Sequence, residues 1–325
     1  MAGSMGFERV RRVLAAVMAG GLAASGAVLG GAGASAAGVN DPGMGQMVAR
    51  PASTSLMSAG ARAFGAPAAE RCDGRSMNVV AHQDDDLLFI NPVVSDDLAA
   101  GRCVVTVFLT AGDAGRGRSY WLGREKGARQ AYAAMAGSSK WWREDRLVVG
   151  GRSAARFTLG QERVSLVFLR LPDASTSPGR PADGLRKLWR GDLINLRTVD
   201  DGDRYTRSAL TSTLTELMNR YRPDEIRTLD YEGRYGDGDH ADHHTAGYFT
   251  LAAQRNYRWP HGITAFMGYP VENAPANLAD DARDAKLRYF LAYAPFDRKV
   301  CQSAAACLGN FYAPRFSRTI RTGQG

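Results

Sequence analysis

The sequence predicts an α/β protein built on a Rossmann-like open sheet, mostly parallel, with helices on both faces. Short, almost wholly apolar runs at 77–81, 103–110 and 164–169 suit strands buried on both sides. Helix-forming stretches stand between such runs, and strand, helix, strand order implies right-handed crossovers. Acidic, histidine-bearing segments follow two of the strands, where loops at the carboxyl ends of such sheets gather ligands.

Arg9, Arg11 and Arg12 precede an apolar stretch from Val13 to Leu29, and Ala34-Ser35-Ala36 offers a small-residue cleavage pattern. Residues 1–36 therefore read as a secretory signal peptide, with Arg11-Arg12 leaving both general and twin-arginine export open. Residues 37–71, rich in Gly, Ala, Ser, Pro and Met, read as a flexible lead-in, and 72–325 as one α/β catalytic domain. No second long apolar segment follows, so the mature protein is expected to be extracellular without integral membrane association.

The first strand, 77–81, leads through an acidic turn into a helix over 87–100 that Asn91-Pro92 disturbs. Strand 103–110 is followed by a loop over 111–123 with four glycines and by an alanine-rich helix over 124–137 that ends on Gly137. Strands are expected at 146–149 and 164–169. The stretch 171–203, rich in Pro, Gly, Asp and Arg with a small apolar patch at Leu185, Leu188 and Trp189, reads as an excursion over the rim of the site. A helix over 206–221, a central strand over 226–230 and a helix running to about residue 254 complete the reading.

The net charge is +8, without a stripe of basic residues interleaved with aromatics, so no nucleic-acid partner is expected. Four cysteines in an exported chain point to disulfides. Cys72 and Cys103 fall at the same end of neighbouring parallel strands, and Cys301 and Cys307 bracket a short loop. Bridges 72–103 and 301–307 are therefore expected.

The chain has five histidines, and four of them stand in Ala81-His82-Gln83-Asp84-Asp85-Asp86 and His240-Ala241-Asp242-His243-His244. Imidazoles beside carboxylates are costly to bury without partners, whereas a divalent metal uses them together. The i, i+3 spacing joins His82 to Asp85 and His240 to His243. His82, Asp85 and His243 supply three ligands and leave a position for water, the pattern of catalytic zinc. Asp84 is then placed to take the proton of an activated water. His240 is placed to donate to the oxyanion and leaving nitrogen, with Asp242 orienting it.

His-x-Asp-Asp closing the first strand and His-x-Asp-His near the last catalytic loop resemble the zinc-dependent de-N-acetylases that include the glycosylphosphatidylinositol-pathway and mycothiol-pathway deacetylases (the PIG-L and LmbE-like family). The likeness runs over about residues 76–255 and includes Leu109-Thr110-Ala111-Gly112-Asp113-Ala114-Gly115, similar to the family's Thr-x-Gly-Glu-x-Gly loop. It implies one Zn²⁺ per chain held by His82, Asp85 and His243, with Asp84 as base and His240 with Asp242 at the oxyanion. It further implies that Tyr235 reaches the oxyanion and that Arg124 and Asp113 bind substrate. The family's usual Pro and Glu are Gln83 and Asp86 here, and Asp237-Gly238-Asp239 is inserted before His240.

The expected activity is removal of an N-acyl group, foremost N-acetyl, from a small, glycolipid or cell-wall amino sugar outside the cell. Two other readings stand beside it. Histidine and carboxylate at this spacing also ligate non-haem Fe(II) in oxygenases, and the same scaffold could bind carbohydrate without catalysis. His244 is expected to pack within its helix, His261 to sit in a loop, and the Asp200 to Asp203 and Asp237 to Asp239 runs to be solvated turns.

Overall fold

The computed structural model describes residues 72–139, 141–175, 181–308 and 319–324, so the expected signal and lead-in, 1–36 and 37–71, lie outside the described residues. Strand β1 (Arg75–Val80) runs into a short π-type turn (Asp86–Ile90), followed by helix α1 (Val93–Ala99), β2 (Cys103–Thr110) and α2 (Arg118–Met135). Then come β3 (Arg143–Val149), β4 (Arg152–Leu159), β5 (Val164–Leu171) and α3 (Gly184–Arg190). A two-stranded ribbon of β6 (Leu196–Arg197) and β7 (Arg204–Tyr205) precedes α4 (Arg207–Tyr221) and β8 (Glu225–Leu229). Helix α5 (Ala241–Gln254), β9 (Gly262–Phe266), α6 (Asp280–Tyr293), α7 (Ala304–Leu308) and β10 (Thr319–Gln324) follow.

The main sheet has the order β10-β9-β8-β1-β2-β5-β4-β3. Its middle, from β9 to β5, is parallel; β10 pairs antiparallel with β9 at one edge, and β4 pairs antiparallel with both β5 and β3 at the other. The parallel strands are apolar runs because both faces are covered: every residue of β2 is buried. Helices pack in two groups, α2 against α6, and α3 and α4 against α5. The α/β class and the mostly parallel sheet agree with the sequence.

Three local readings are corrected. Helix α2 begins at Arg118, not at 124, and Gly123 lies inside it rather than closing a loop. A Cβ at Gly123 would lie 2.9 Å from the Phe296 carbonyl oxygen, so this glycine permits close packing. Strand β4 was not anticipated, although Gly150 and Gly151, with φ of 58° and 69°, form the tight turn joining it to β3. The apolar patch of the 171–203 excursion is core: Leu185 and Leu188 are fully buried, and Trp189 stands edge-on to Phe249 of α5 with ring centroids 4.9 Å apart.

The expected helix over 87–100 is divided at Asn91-Pro92, the point where proline interrupts helical hydrogen bonding. Thr206 caps α4 by accepting the Ala209 amide at 3.1 Å. Both disulfides pair as expected, Cys72 with Cys103 and Cys301 with Cys307. The first closes a separation of 31 residues and ties the entry of β1 to β2.

Candidate metal and catalytic site

The chain proceeds from β1 outward to β2 and β5, then returns to place β8 on the other side of β1. Such a reversal opens a crevice at the carboxyl ends of the adjacent strands. The segment after β1 carries His82, Asp84 and Asp85. It faces the segment after β8, which carries Asp239 and His240 and enters α5 at Asp242 and His243. His82 lies with its ring centroid 4.8 Å from that of His240 and 5.4 Å from that of His243. The two distant motifs therefore meet.

His82 and His243 share one arrangement. His82 turns Nδ1 toward Asp85 Oδ1 at 3.3 Å and Nε2 toward Asp242 Oδ2 at 3.4 Å. His243 turns Nε2 toward the same Asp85 Oδ1 at 3.2 Å and Nδ1 toward Asp239 Oδ1 at 2.7 Å. Each outer nitrogen has a carboxylate to accept its N–H, and each inner nitrogen faces Asp85, where a cation shared with that carboxylate would take the ring's lone pair, the usual relation of metal-binding histidines to their supports. His243 Nε2 is buried without a hydrogen-bond partner. Adjacent ligands at about 2.0–2.1 Å from a tetrahedral ion lie about 3.3 Å apart, so these spacings and this donor set fit a divalent cation.

The charge balance agrees. Burial opposes charge on every group here, yet Asp85 and Asp242 raise His82 well above its ordinary pKa. His243, likewise against burial, is raised to about 10 by Asp85 and Asp239. Burial also works against Asp85, but the two imidazoles, His243 first, hold it well below the usual carboxylate range. The carboxylates thus draw positive charge into the cleft, which protons or a metal ion can supply in exchange for one another.

His240 comes close enough to join the set, since His82, His240 and His243 each offer an atom within 4.8 Å of the others. Its tautomer argues for another role. His240 caps α5, accepting the Asp242 amide on Nδ1 at 3.2 Å, so the neutral ring carries its proton on Nε2 and is a donor there. It is also the most exposed of the three, at 34 % of its side chain. Asp85 Oδ1, at 3.3 Å from His82 and 3.2 Å from His243, is a candidate third ligand beside them. Asp242 accepts from the Ala174 amide at 2.8 Å and sits beneath both His82 and His240.

Asp84 is buried beside the cluster, and Arg124 Nη2 donates to its Oδ1. Burial raises the Asp84 pKa and outweighs the opposing guanidinium. Arg124 is itself 7 % exposed, donating from Nη1 to the Gly112 carbonyl at 2.8 Å and facing Tyr293 and Asp297 with Nε. Gly112 has a φ of +55°, and a Cβ there would lie 2.1 Å from Arg124 Nη1 and 2.4 Å from Gln83 Oε1, so only glycine fits. Asp113 is buried and accepts the Asp173 amide at 3.1 Å. The Tyr235 hydroxyl lies 2.9 Å from Thr245 Oγ1, which donates to the Ala241 carbonyl, so Tyr235 ties its loop to the first turn of α5. Asp86 lies below the site and accepts from Tyr132, with burial raising its pKa to about 7.

Two contributors escaped the sequence reading. Asp239, expected in a solvated turn, buries its carboxylate behind His243 and accepts amides from His240 at 2.8 Å and Tyr269 at 3.0 Å. A Cβ at Gly268 would lie 2.4 Å from both its oxygens. The Asp173-Ala174 turn after β5 supports Asp242; its only sequence sign is its place at a strand's carboxyl end. His244 is buried, with Nδ1 2.9 Å from the Asp230 carbonyl and Nε2 3.0 Å from Asp237. His261 sits in a loop as expected, just before β9 at the opposite end of the sheet, and is buried there between Trp259 and Gln254.

Among curated proteins none matches the chain. Solved structures with a related fold include the zinc-inhibited form of teicoplanin deacetylase Orf2, at 13% identity over 67% of this chain and 83% of that one, with a TM-score of 0.41. Another is N,N'-diacetylchitobiose deacetylase from Pyrococcus horikoshii, at 15% identity over 76% and 84%, with a TM-score of 0.43. A third is GalB, the 4-carboxy-2-hydroxymuconate hydratase of Pseudomonas putida KT2440, at 15% identity over 68% and 79%, with a TM-score of 0.39. A fold can host several reactions, so function is argued from the site. The family described as GlcNAc-PI de-N-acetylase, PIG-L, matches residues 77–254, more than half of the chain and every histidine and carboxylate of the cleft. The chain belongs to the GlcNAc-PI de-N-acetylase family.

Proposed function

We propose that the chain is a secreted, zinc-dependent hydrolase that removes an N-acyl group, foremost N-acetyl, from an amino sugar or glycoside-like substrate. The observation that carries this reading is the shared arrangement of His82 and His243, each with one nitrogen on Asp85 and the other on a second carboxylate. On this reading His82, Asp85 and His243 hold one zinc ion. When bound, zinc supplies Lewis acidity that polarises the amide carbonyl and lowers the pKa of water.

Asp84 is the general base. It takes a proton as the water oxygen bonds to the amide carbon, and Arg124 on its Oδ1 fixes the carboxylate for that transfer. His240, with Nδ1 occupied by the Asp242 amide, directs Nε2–H to the carbonyl oxygen as negative charge grows there. Asp242 holds His240 and His82 in register. Burial lowers the His240 pKa to about 4, so the neutral ring serves the oxyanion as a hydrogen-bond donor and not as the acid placed at the leaving nitrogen. The proton on Asp84 passes to the departing nitrogen, the C–N bond breaks, and a carboxylic acid and an amine leave.

Export is supported by the leader-like first 36 residues and by the two disulfides. Among the described residues no helix is long and apolar enough to cross a membrane.

A panel of N-acylated amino sugars, including N,N'-diacetylchitobiose, assayed for amine release tests the reaction. Zinc-loaded protein is expected to release amine, to lose that activity on chelation and to regain it with zinc. Release indifferent to chelation contradicts the reading, as does oxygen uptake that requires iron. N-terminal sequencing of protein from culture medium checks export, with a start near residue 37 expected.

A further inference from the structure

The family match ends at residue 254, yet Arg124 is gripped from beyond it. Its Nε lies 2.7 Å from the Tyr293 hydroxyl, in the last turn of α6, and 2.9 Å from Asp297 Oδ2. Tyr293 donates to the same Asp297 oxygen at 2.8 Å. The other oxygen of Asp297 accepts from Tyr120, at the start of α2, at 2.9 Å and from the Lys299 amide at 3.0 Å. Asp297 is 1 % exposed, and the bonds joining Arg124, Tyr293 and Asp297 are made away from water.

A second, separate feature seats the C-terminal segment. Gly123 and Gly127 lie one turn apart on α2. A Cβ at Gly127 would lie 2.7 Å from the Tyr293 ring and 3.0 Å from its carbonyl oxygen, and one at Gly123 would meet the Phe296 carbonyl. Two glycines in mid-helix cost helix stability, and here they let α6 and the turn after it close onto the helix that carries Arg124. The adjacent Glu125 is buried and pairs with Arg170 of β5 at 2.7 Å, which fixes α2 against the sheet. Arg124 is thus a guanidinium held between two carboxylates, Asp84 on one side and Asp297 on the other, and its direction is set by both.

We propose that Tyr293 and Asp297, contributed by the segment beyond the family match, are positioning residues for Asp84 that act through Arg124. The inference rests on Asp84 being the general base. Asp297 takes the Nε side of the guanidinium and the Gly112 carbonyl takes Nη1, leaving Nη2 aimed at Asp84. With the Asp297 charge removed, Arg124 loses that second anchor and no longer holds Nη2 in one direction, which misplaces the base.

Asp297→Asn keeps size and removes the charge, and Tyr293→Phe removes one hydroxyl while keeping the ring. Each is measured for kcat and KM on the best amine-releasing sugar of the panel, alone and combined with Asp84→Asn, with zinc content measured alongside. We expect each single variant to lose about 10- to 100-fold in kcat with KM within about twofold and zinc retained. In the Asp84→Asn background each is expected to add less than about twofold, because the group being positioned is already gone. Losses that multiply in the double variants overturn the proposal, as does a rise in KM at unchanged kcat, or an unchanged kcat in both single variants. An Asp84→Asn variant with full turnover overturns the reading of the base itself, a distinct result. If Asp297→Asn does not fold, Tyr293→Phe carries the test alone, with the same outcomes deciding it.

Discussion

His243 and His244 are neighbours in sequence, both fully buried on α5, and they differ in what their ring nitrogens face. His243 has a carboxylate at each nitrogen, Asp85 and Asp239. His244 has a backbone carbonyl at Nδ1, which obliges that nitrogen to donate, and the partly exposed Asp237 at Nε2. On the proposed reading, one ring holds a cation between itself and Asp85 of another loop. Its neighbour ties the loop after β8 to the helix. Burial and proximity to carboxylates are common to both, and what separates them is their company: His243 groups with two further imidazoles, His82 and His240, and His244 with two carboxylates, Asp230 and Asp237.

The largest effect is expected at the base serving the His243 side. Asp84→Asn should retain zinc and cut turnover by about 10²- to 10⁴-fold, read from kcat and metal content together. Zinc-bound protein with unimpaired turnover would remove Asp84 from the chemistry. Next comes the carboxylate behind His243. Asp239→Asn should weaken zinc binding by about 10- to 100-fold in competition with a chromophoric chelator. An unchanged affinity would mean that His243 gains nothing from its second acid.

On the other side of the comparison, His244→Asn should leave zinc affinity unchanged and lower unfolding free energy by about 1–3 kcal/mol, since the Asp230 carbonyl and Asp237 lose their partner. Loss of zinc in that variant would erase the distinction drawn between the two rings.

A last effect, gradual with pH, concerns a buried lysine that donates to a backbone carbonyl. Lys286 donates to the Leu88 carbonyl at 2.5 Å, and burial lowers its pKa to about 7. Between about pH 7 and 10 the unfolded chain binds this proton and the folded chain does not, so the Lys286 contribution to stability rises with pH, by at most about 1.4 kcal/mol per unit. Denaturant titrations of Lys286→Met should lose that rise. A slope equal to that of the parent protein would refute the assignment.

Much of this was legible in the sequence because the parallel strands are continuous apolar runs and the metal-binding residue types are scarce. Five histidines with four in two clusters leave little freedom, and placing both clusters after strand ends brings them together once the sheet order reverses at β1 and β8. The roles of Asp239 and Arg124 were harder to read. Asp-Gly-Asp reads as an exposed turn, and only the approach of Tyr269 from after β9, permitted by Gly268, buries Asp239. Arg124 takes its direction from Tyr293 and Asp297, about 170 residues downstream, and no local pattern announces such a contact. Gly123 misled for the opposite reason, because a glycine that allows two backbones to touch carries the same letter as one that ends a helix.

On the proposed reading Asp85, and not His240, completes the ligand set with His82 and His243. Zinc stoichiometry and affinity, measured by chelator competition on His82→Ala, Asp85→Ala, His243→Ala and His240→Ala beside the parent protein, test it most directly. One zinc per chain is expected in the parent. Losses in the first three variants should exceed the roughly 10- to 100-fold of an outer partner, with binding kept in His240→Ala. Zinc retained by Asp85→Ala, or lost from His240→Ala as fully as from His243→Ala, would contradict it.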